Sequence, residues 1–182
     1  MNVIQPALHG VLIIEPRVFG DARGFFLESW NEQTFAKAGI TAKFVQDNHS
    51  KSTQGTLRGL HYQLQHTQGK LVRVISGEVF DVMVDLRRSS PTFGQWLGVA
   101  ISAENKRIVW VPEGFAHGFY VVSPTAEFLY KCTDFYDPDS EQTLAWDDPA
   151  VGIQWPLVPE VETLLSAKDK LGKTLRDAEI FA

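Results

Sequence analysis

With 182 residues, the chain is long enough for one domain with a substantial core and too short for two comfortable ones. Its 44% hydrophobic and 21% charged residues are ordinary for a soluble globular protein, and its net charge of −5 argues against a nucleic-acid surface, which is normally basic. Cys132 is the only cysteine, so no intrachain disulfide forms and a reducing compartment is expected. The N-terminus has no basic stretch, and the run Gly10 to Ile14 is far too short for a signal or membrane segment. The expected location is the cytoplasm.

The first apolar run, Val11-Leu12-Ile13-Ile14, is closed by Glu15-Pro16 and reads as a strand. Pro16 suits an edge or strand-end position. An apolar edge needs covering, which points to a homodimer. Phe19 to Phe26 is a glycine-bracketed turn with an arginine and three phenylalanines. It reads either as core aromatics flanking a turn or as a loop offering a ring and a cation. Asn31 to Ala38 carries helix signals: Asn31 as N-cap, Glu32 in the first turn, Lys37 in the last and Gly39 beyond. Phe44 to Ser52 starts as a strand and turns polar, with Gln46 and Asn48 alternating onto one side. A ligand contact and a plain turn both fit that pair.

Leu57-Arg58-Gly59-Leu60-His61-Tyr62-Gln63 reads as a strand. Alternation puts Leu57, Gly59, His61 and Gln63 on one face and Arg58, Leu60 and Tyr62 on the other, although local twist can bring Arg58 and His61 to one cavity. Gly59 allows close approach to the backbone. A proton-exchanging imidazole and an anion-holding guanidinium beside such a gap suggest a ligand site; a half-exposed strand with a satisfied histidine is the plainer reading.

Lys70 to Ile75, the turn pair Ser76-Gly77 and Glu78 to Leu86 read as a hairpin. Phe80, Val82, Val84 and Leu86 fall on one side of its second arm, with Asp81 and Asp85 on the other. Further strands are expected over 93–102, 106–111, Ala116 to Val122 and Glu127 to Asp134, the last with Phe128, Tyr130 and Cys132 on one face. The tail from Asp147 reads as irregular, with a short helical piece around Ser166 to Leu175. Short strands separated by turns predict a mostly β chain, an antiparallel barrel or sandwich spanning residues 1–182 as one domain.

Pro112-Glu113-Gly114-Phe115-Ala116-His117 resembles the second cupin motif, Pro-x-Gly-x-x-His. The first cupin motif carries metal through His-x-His, where this chain has His61-Tyr62-Gln63. Three or four protein ligands are usual for a metal, so a cupin-type jelly roll without metal is expected.

Six motifs in order resemble the dTDP-4-dehydrorhamnose 3,5-epimerase family: Phe19-Gly-Asp-x-Arg23-Gly-Phe-Phe, Gln46-Asp-Asn48-His-Ser, Leu57-Arg-Gly-Leu-His61, Gln68-Gly-Lys70, Pro112-Glu-Gly-Phe-Ala-His117-Gly-Phe and Leu129-Tyr130-Lys. The resemblance implies a cofactor-free enzyme that inverts carbons 3 and 5 of a 4-keto sugar nucleotide. Both carbons carry protons alpha to the ketone, so a base removes them through an enolate and an acid reprotonates from the other face. By resemblance His61 is the base, Asp169 its orienting carboxylate, Tyr130 the acid and Lys70 the group near the ketone oxygen. The same resemblance assigns polar substrate contacts to Arg23, Glu28, Gln46, Asn48, Arg58, His117, Glu141 and Lys168, a thymine-stacking ring to Tyr136 and an apolar wall to Phe19. Phe135 stands where close relatives carry tyrosine.

Each assignment has a structural rival. Ser166-Ala-Lys-Asp169 also resembles a capping box. Tyr130 fits a core tyrosine, Lys70 a solvated strand-start lysine and His117 a structural imidazole. Other readings of the whole chain are a sugar-nucleotide 5-epimerase, 3-epimerase or 3,4-ketoisomerase, a nucleotide-sugar binding cupin and, disfavoured by the missing His-x-His, a metal-dependent oxygenase. A dTDP-sugar and a second copy of the chain are the expected partners; nucleic acid and membrane are not.

Overall fold

A computed structural model describes residues 1–182. Two antiparallel sheets hold nearly all the regular structure. The six-stranded sheet runs β1 (Asn2–Ile4), β2 (Leu12–Glu15), β10 (Ile108–Val111), β7 (Lys70–Ser76), β12 (Thr125–Cys132) and β5 (Gln46–Thr53). The five-stranded sheet runs β13 (Glu141–Thr143), β6 (Leu57–Gln63), β11 (Phe115–Val121), β8 (Glu78–Asp85) and β9 (Trp96–Ser102). Consecutive strands repeatedly change sheet, as β5 to β6, β7 to β8 and β11 to β12 do. That alternation is the jelly-roll pattern the sequence led us to expect. A two-stranded arm, β3 (Val18–Asp21) with β4 (Gly24–Leu27), pairs with neither sheet and is largely exposed.

The inner faces meet over Val72, Val74, Val79, Met83, Phe119, Val121 and Phe128. Phe119 and Phe128, from opposite sheets, stack with centroids 4.3 Å apart, a contact worth about 0.5–1.5 kcal/mol beyond burial. The expected split of β8 into two faces holds, but from Asp81 to Asp85 neither face meets water. Val82, Val84 and Leu86 pack outward under the C-terminal tail with Leu144, Val151 and Ala178, while Asp81 and Asp85 point inward and are fully buried. A strand covered on both sides reads as an almost continuous apolar run, which is why β8 does.

The short helix falls where its caps place it, at α1 (Glu32–Lys37), with the Asn31 side chain accepting from the Thr34 N–H. Its Phe35 is buried with Ile40 against Leu12, Ile14, Leu71 and Ile108 on the outer face of the larger sheet.

Three expectations need correction. Lys70 to Leu86 is not a hairpin: β7 pairs with β10 and β12, and β8 with β11 and β9. Ser76-Gly77 is a corner between sheets. Gly77 has φ +74°, and a side chain there would strike the Thr125 carbonyl; a hairpin turn and a corner make the same demand on sequence. The strand beginning at Leu12 is not an edge, since β1 and β10 flank it; three residues near the N-terminus supply the edge instead. The helix expected at Ser166 to Leu175 shrinks to a 3-10 turn, Asp169–Leu171. Backbone groups on either side are engaged elsewhere: Leu164 bonds Gly55 and Leu57, and Lys173 bonds Thr143 and Ala145.

Candidate active site

A cavity of about 740 Å³ opens between the sheets, lined by β5, β6, β7, β11 and β12 and closed on one side by the tail. Strand β6 supplies its centre. Against β11, His61 pairs with His117 and Arg58 with Phe119, so three steps on β6 match two on β11. Such a bulge resets the alternation and brings both Arg58 and His61 to the cavity. Gly59 lies within it: a Cβ there would stand 2.6 Å from Gly118 Cα and 2.7 Å from the His117 carbonyl oxygen.

His61 Nε2 lies 2.6 Å from Asp169 Oδ1. Asp169 Oδ1 also accepts from the Gly59 N–H at 3.2 Å, and Oδ2 from the Ser166 hydroxyl at 2.6 Å and the Ser166 N–H at 3.3 Å. Burial alone would push this carboxyl up, but the hydrogen bonds from His61 and Ser166, the His61 charge and the Gly59 N–H outweigh it. They hold its pKa at about 2. An ionised carboxylate there can accept from a protonated Nε2, the tautomer in which Nδ1 keeps the lone pair a general base requires.

The facing wall belongs to the larger sheet. Registers set Tyr130 opposite Asn48 and Val72, and Cys132 opposite Gln46 and Lys70, so one inner face collects Gln46, Asn48, Lys70 and Tyr130. Burial pushes the Tyr130 phenol up to about 12, so it keeps its proton. Burial pushes the Lys70 ammonium down, opposed by the charges of Cys132, Glu141 and Asp81. His61 and Tyr130 thus reach one cavity from opposite sheets.

At the rim, Glu141 accepts from Lys168 Nζ at 2.7 Å and from the Tyr136 hydroxyl at 2.8 Å. Burial raises its pKa, but the Lys168 and Tyr136 hydrogen bonds outweigh it and the net shift is downward. The Gln46 side chain accepts from the Tyr136 N–H at 2.9 Å. Gln63, where the metal-binding cupin pattern has its second histidine, is buried; it donates to the carbonyls of His66 and Phe135 and accepts from the Asp137 N–H. It therefore latches the loop that carries Tyr136. No group of three or more His, Cys, Asp or Glu side chains is arranged to hold a metal ion.

The family model for dTDP-4-dehydrorhamnose 3,5-epimerase matches residues 5–177. The chain belongs to that family. It is 58% identical over 182 residues to the dTDP-4-dehydrorhamnose 3,5-epimerase of Pseudomonas aeruginosa, covering 100% of this chain and 99% of that one. The Salmonella typhimurium protein of the same name is also 58% identical over 182 residues, covering 98% and 97%. Among solved structures, the Legionella pneumophila dTDP-6-deoxy-D-glucose-3,5-epimerase in complex with dTDP-4-keto-L-rhamnose superposes with a TM-score of 0.94. It is 54% identical, covering 98% of this chain and 94% of that one.

Of the residues the epimerase resemblance singled out, His61, Lys70, Tyr130, Asp169, Gln46, Asn48, Arg58, His117, Tyr136, Glu141 and Lys168 all line the cavity. Phe19, Arg23 and Glu28 do not. Phe19 and Arg23 sit on the exposed arm, where Arg23 is 90% exposed and pairs only with Asp21; Glu28 accepts from Asn31 Nδ2 at 3.0 Å. Sequence reasoning missed Asp81, and it set the Ser166–Asp169 cap against the His61–Asp169 pair, which the structure joins in one carboxylate. The signal for Asp81 was present: a carboxylate in a strand apolar on both faces has to be paired.

Proposed function

We propose that the chain inverts carbons 3 and 5 of dTDP-4-dehydro-6-deoxy-D-glucose to give dTDP-4-dehydro-L-rhamnose, as an epimerase of dTDP-L-rhamnose biosynthesis. The observation that carries this reading is the placement of an imidazole held by a carboxylate and a protonated phenol on opposite walls of one cavity. In each inversion His61 Nδ1 takes the proton alpha to the ketone, and the electron pair of the C–H bond moves into the carbonyl as an enolate. Tyr130 then gives its proton to the opposite face, and solvent exchange resets both groups. Lys70 stands near the enolate oxygen, where a preorganised donor is worth about 3–4 kcal/mol.

Arg58 and Lys168 face the diphosphate, Tyr136 stacks on thymine, and Gln46, Asn48, His117 and Glu141 complete the polar contacts. Phe19, Arg23 and Glu28 reach a substrate only from a second copy of the chain. This, together with the phenylalanines exposed on the arm, supports a homodimer that exchanges arms. Residues 1–182 act as one domain. No helix is long and apolar enough to cross a membrane, and the unpaired thiol of Cys132 supports a cytoplasmic location.

The test is incubation with dTDP-4-keto-6-deoxyglucose in deuterated water. One deuteron at each of carbons 3 and 5 is expected. Labelling at one carbon would make the protein a mono-epimerase, and labelling at neither would leave only a binder.

A further inference from the structure

A second histidine–carboxylate pair lies beside the first and is built the opposite way. His117 stands directly across from His61 in the register of β6 and β11, so their β-carbons are neighbours. Its Nε2 is 2.8 Å from Asp81 Oδ1. His117 is 7% exposed and Asp81 fully buried. The Asp169 carboxylate is surrounded by donors from His61, Ser166 and Gly59. Asp81 has only His117, and its Oδ2 meets no partner.

A buried carboxylate with a free oxygen is costly as an anion unless a proton or a full positive charge stands against it. Burial pushes the Asp81 carboxyl up, opposed by His117 and Lys70. Lys70 is the cation facing the pair from the other sheet, itself influenced by Cys132, Glu141 and Lys168; His61 is the neighbour on its own sheet.

We propose that the His117–Asp81 pair carries two protons and turns an Nδ1–H donor into the cavity, while the His61–Asp169 pair carries one and turns a bare Nδ1 into it. Environments that drive two neighbouring titratable pairs apart divide the acid and base roles between them. Asp81 is then a positioning residue that acts through His117. The donor it maintains suits an oxygen that gains charge during reaction, the ketone oxygen becoming an enolate. The identity of that oxygen rests on the epimerase reading; the proton count does not.

Nitrogen NMR of the ligand-free protein, with histidine labelled in the ring, tests the count directly at pH 7. His117→Gln and His61→Asn assign the signals by their loss. A protonated Nδ1 in His117 and an unprotonated one in His61 are expected. An unprotonated His117 Nδ1 overturns the proposal. Asp81→Asn keeps a hydrogen bond to the ring but removes one proton from the pair. Its kcat should fall about 10- to 100-fold with KM changed less than about threefold, the behaviour of a weakened transition-state donor. A folded Asp81→Asn with lowered Tm and unchanged kcat would make Asp81 structural and also overturn the proposal. Expected spectra in a protein that exchanges no deuterium into the sugar would uphold the proton assignment and count against the substrate alone.

Discussion

Asp169 meets His61 at 2.6 Å across 108 residues of chain while exchanging hydrogen bonds with Ser166 in both directions. Capping residue and partner of His61 are therefore one carboxylate: the turn fixes the side chain that fixes the imidazole.

That carboxylate carries a pH-dependent stability. Its pKa falls from 3.8 to about 2 on folding, so the stabilisation is complete above the unfolded value and is lost as pH drops through the folded one. The shift corresponds to about 2 kcal/mol. Asp169→Asn should be less stable by about that amount at pH 7 in urea unfolding, with the gap closing toward pH 2, and kcat should fall roughly 10²–10⁴-fold. A gap of equal size at pH 7 and pH 2 would refute the linkage.

Alternation and turn chemistry made most strands legible, because short apolar runs bounded by Gly, Pro and Asn have few other uses. Pairing was not legible. Ser76-Gly77 serves a hairpin or a corner equally, and only the packing of two sheets decides. The bulge that brings Arg58 beside His61 was foreshadowed by Gly59 but depends on Gly118, on another strand. The tail reads as irregular because its order comes from long-range bridges, Thr56 to Leu164, Leu144 to Lys173 and Arg87 to Phe181, which leave no local period. The catalytic roles themselves came from motif resemblance rather than from periodicity.

The arm provides a test of assembly. Arg23 is almost entirely exposed within one copy, so Arg23→Ala should change stability by no more than about 0.5 kcal/mol. If a second copy brings it to the diphosphate, the same change should raise KM about tenfold or more, as loss of a charged hydrogen bond does. Light scattering should give twice the chain mass of 20.4 kDa, and Phe25→Ser with Phe26→Ser should shift it toward one. A wild-type monomer at micromolar concentration would refute the dimer.

Metal analysis should find no stoichiometric transition metal, and chelators should leave the rate unchanged. The reason is the side-chain commitments: His61 and His117 each hold a carboxylate, and Gln63 is spent on the 135–137 loop. One iron or zinc per chain, with activity lost on chelation, would refute this.

The two walls of the cavity should differ in what their loss does to exchange and to inversion. His61→Asn should abolish deuterium wash-in at both carbons, since without the base no enolate forms. Tyr130→Phe removes only the hydroxyl and leaves the ring against Phe128 and the base untouched. Enolates should still form, then be reprotonated mainly from the side they left. Exchange therefore survives in part while net inversion falls. The phenol's pKa of about 12 adds a pH arm: Tyr130 should remain a donor as pH rises through 10, so inversion per exchange event should stay constant up to that point. A tyrosine serving only the core would lose some stability with its hydroxyl and leave the products unaltered. The decisive quantity is the ratio of exchange to inversion in both variants, read beside their melting temperatures. An unaltered ratio in Tyr130→Phe, or full exchange in His61→Asn, would show the roles to be wrongly assigned.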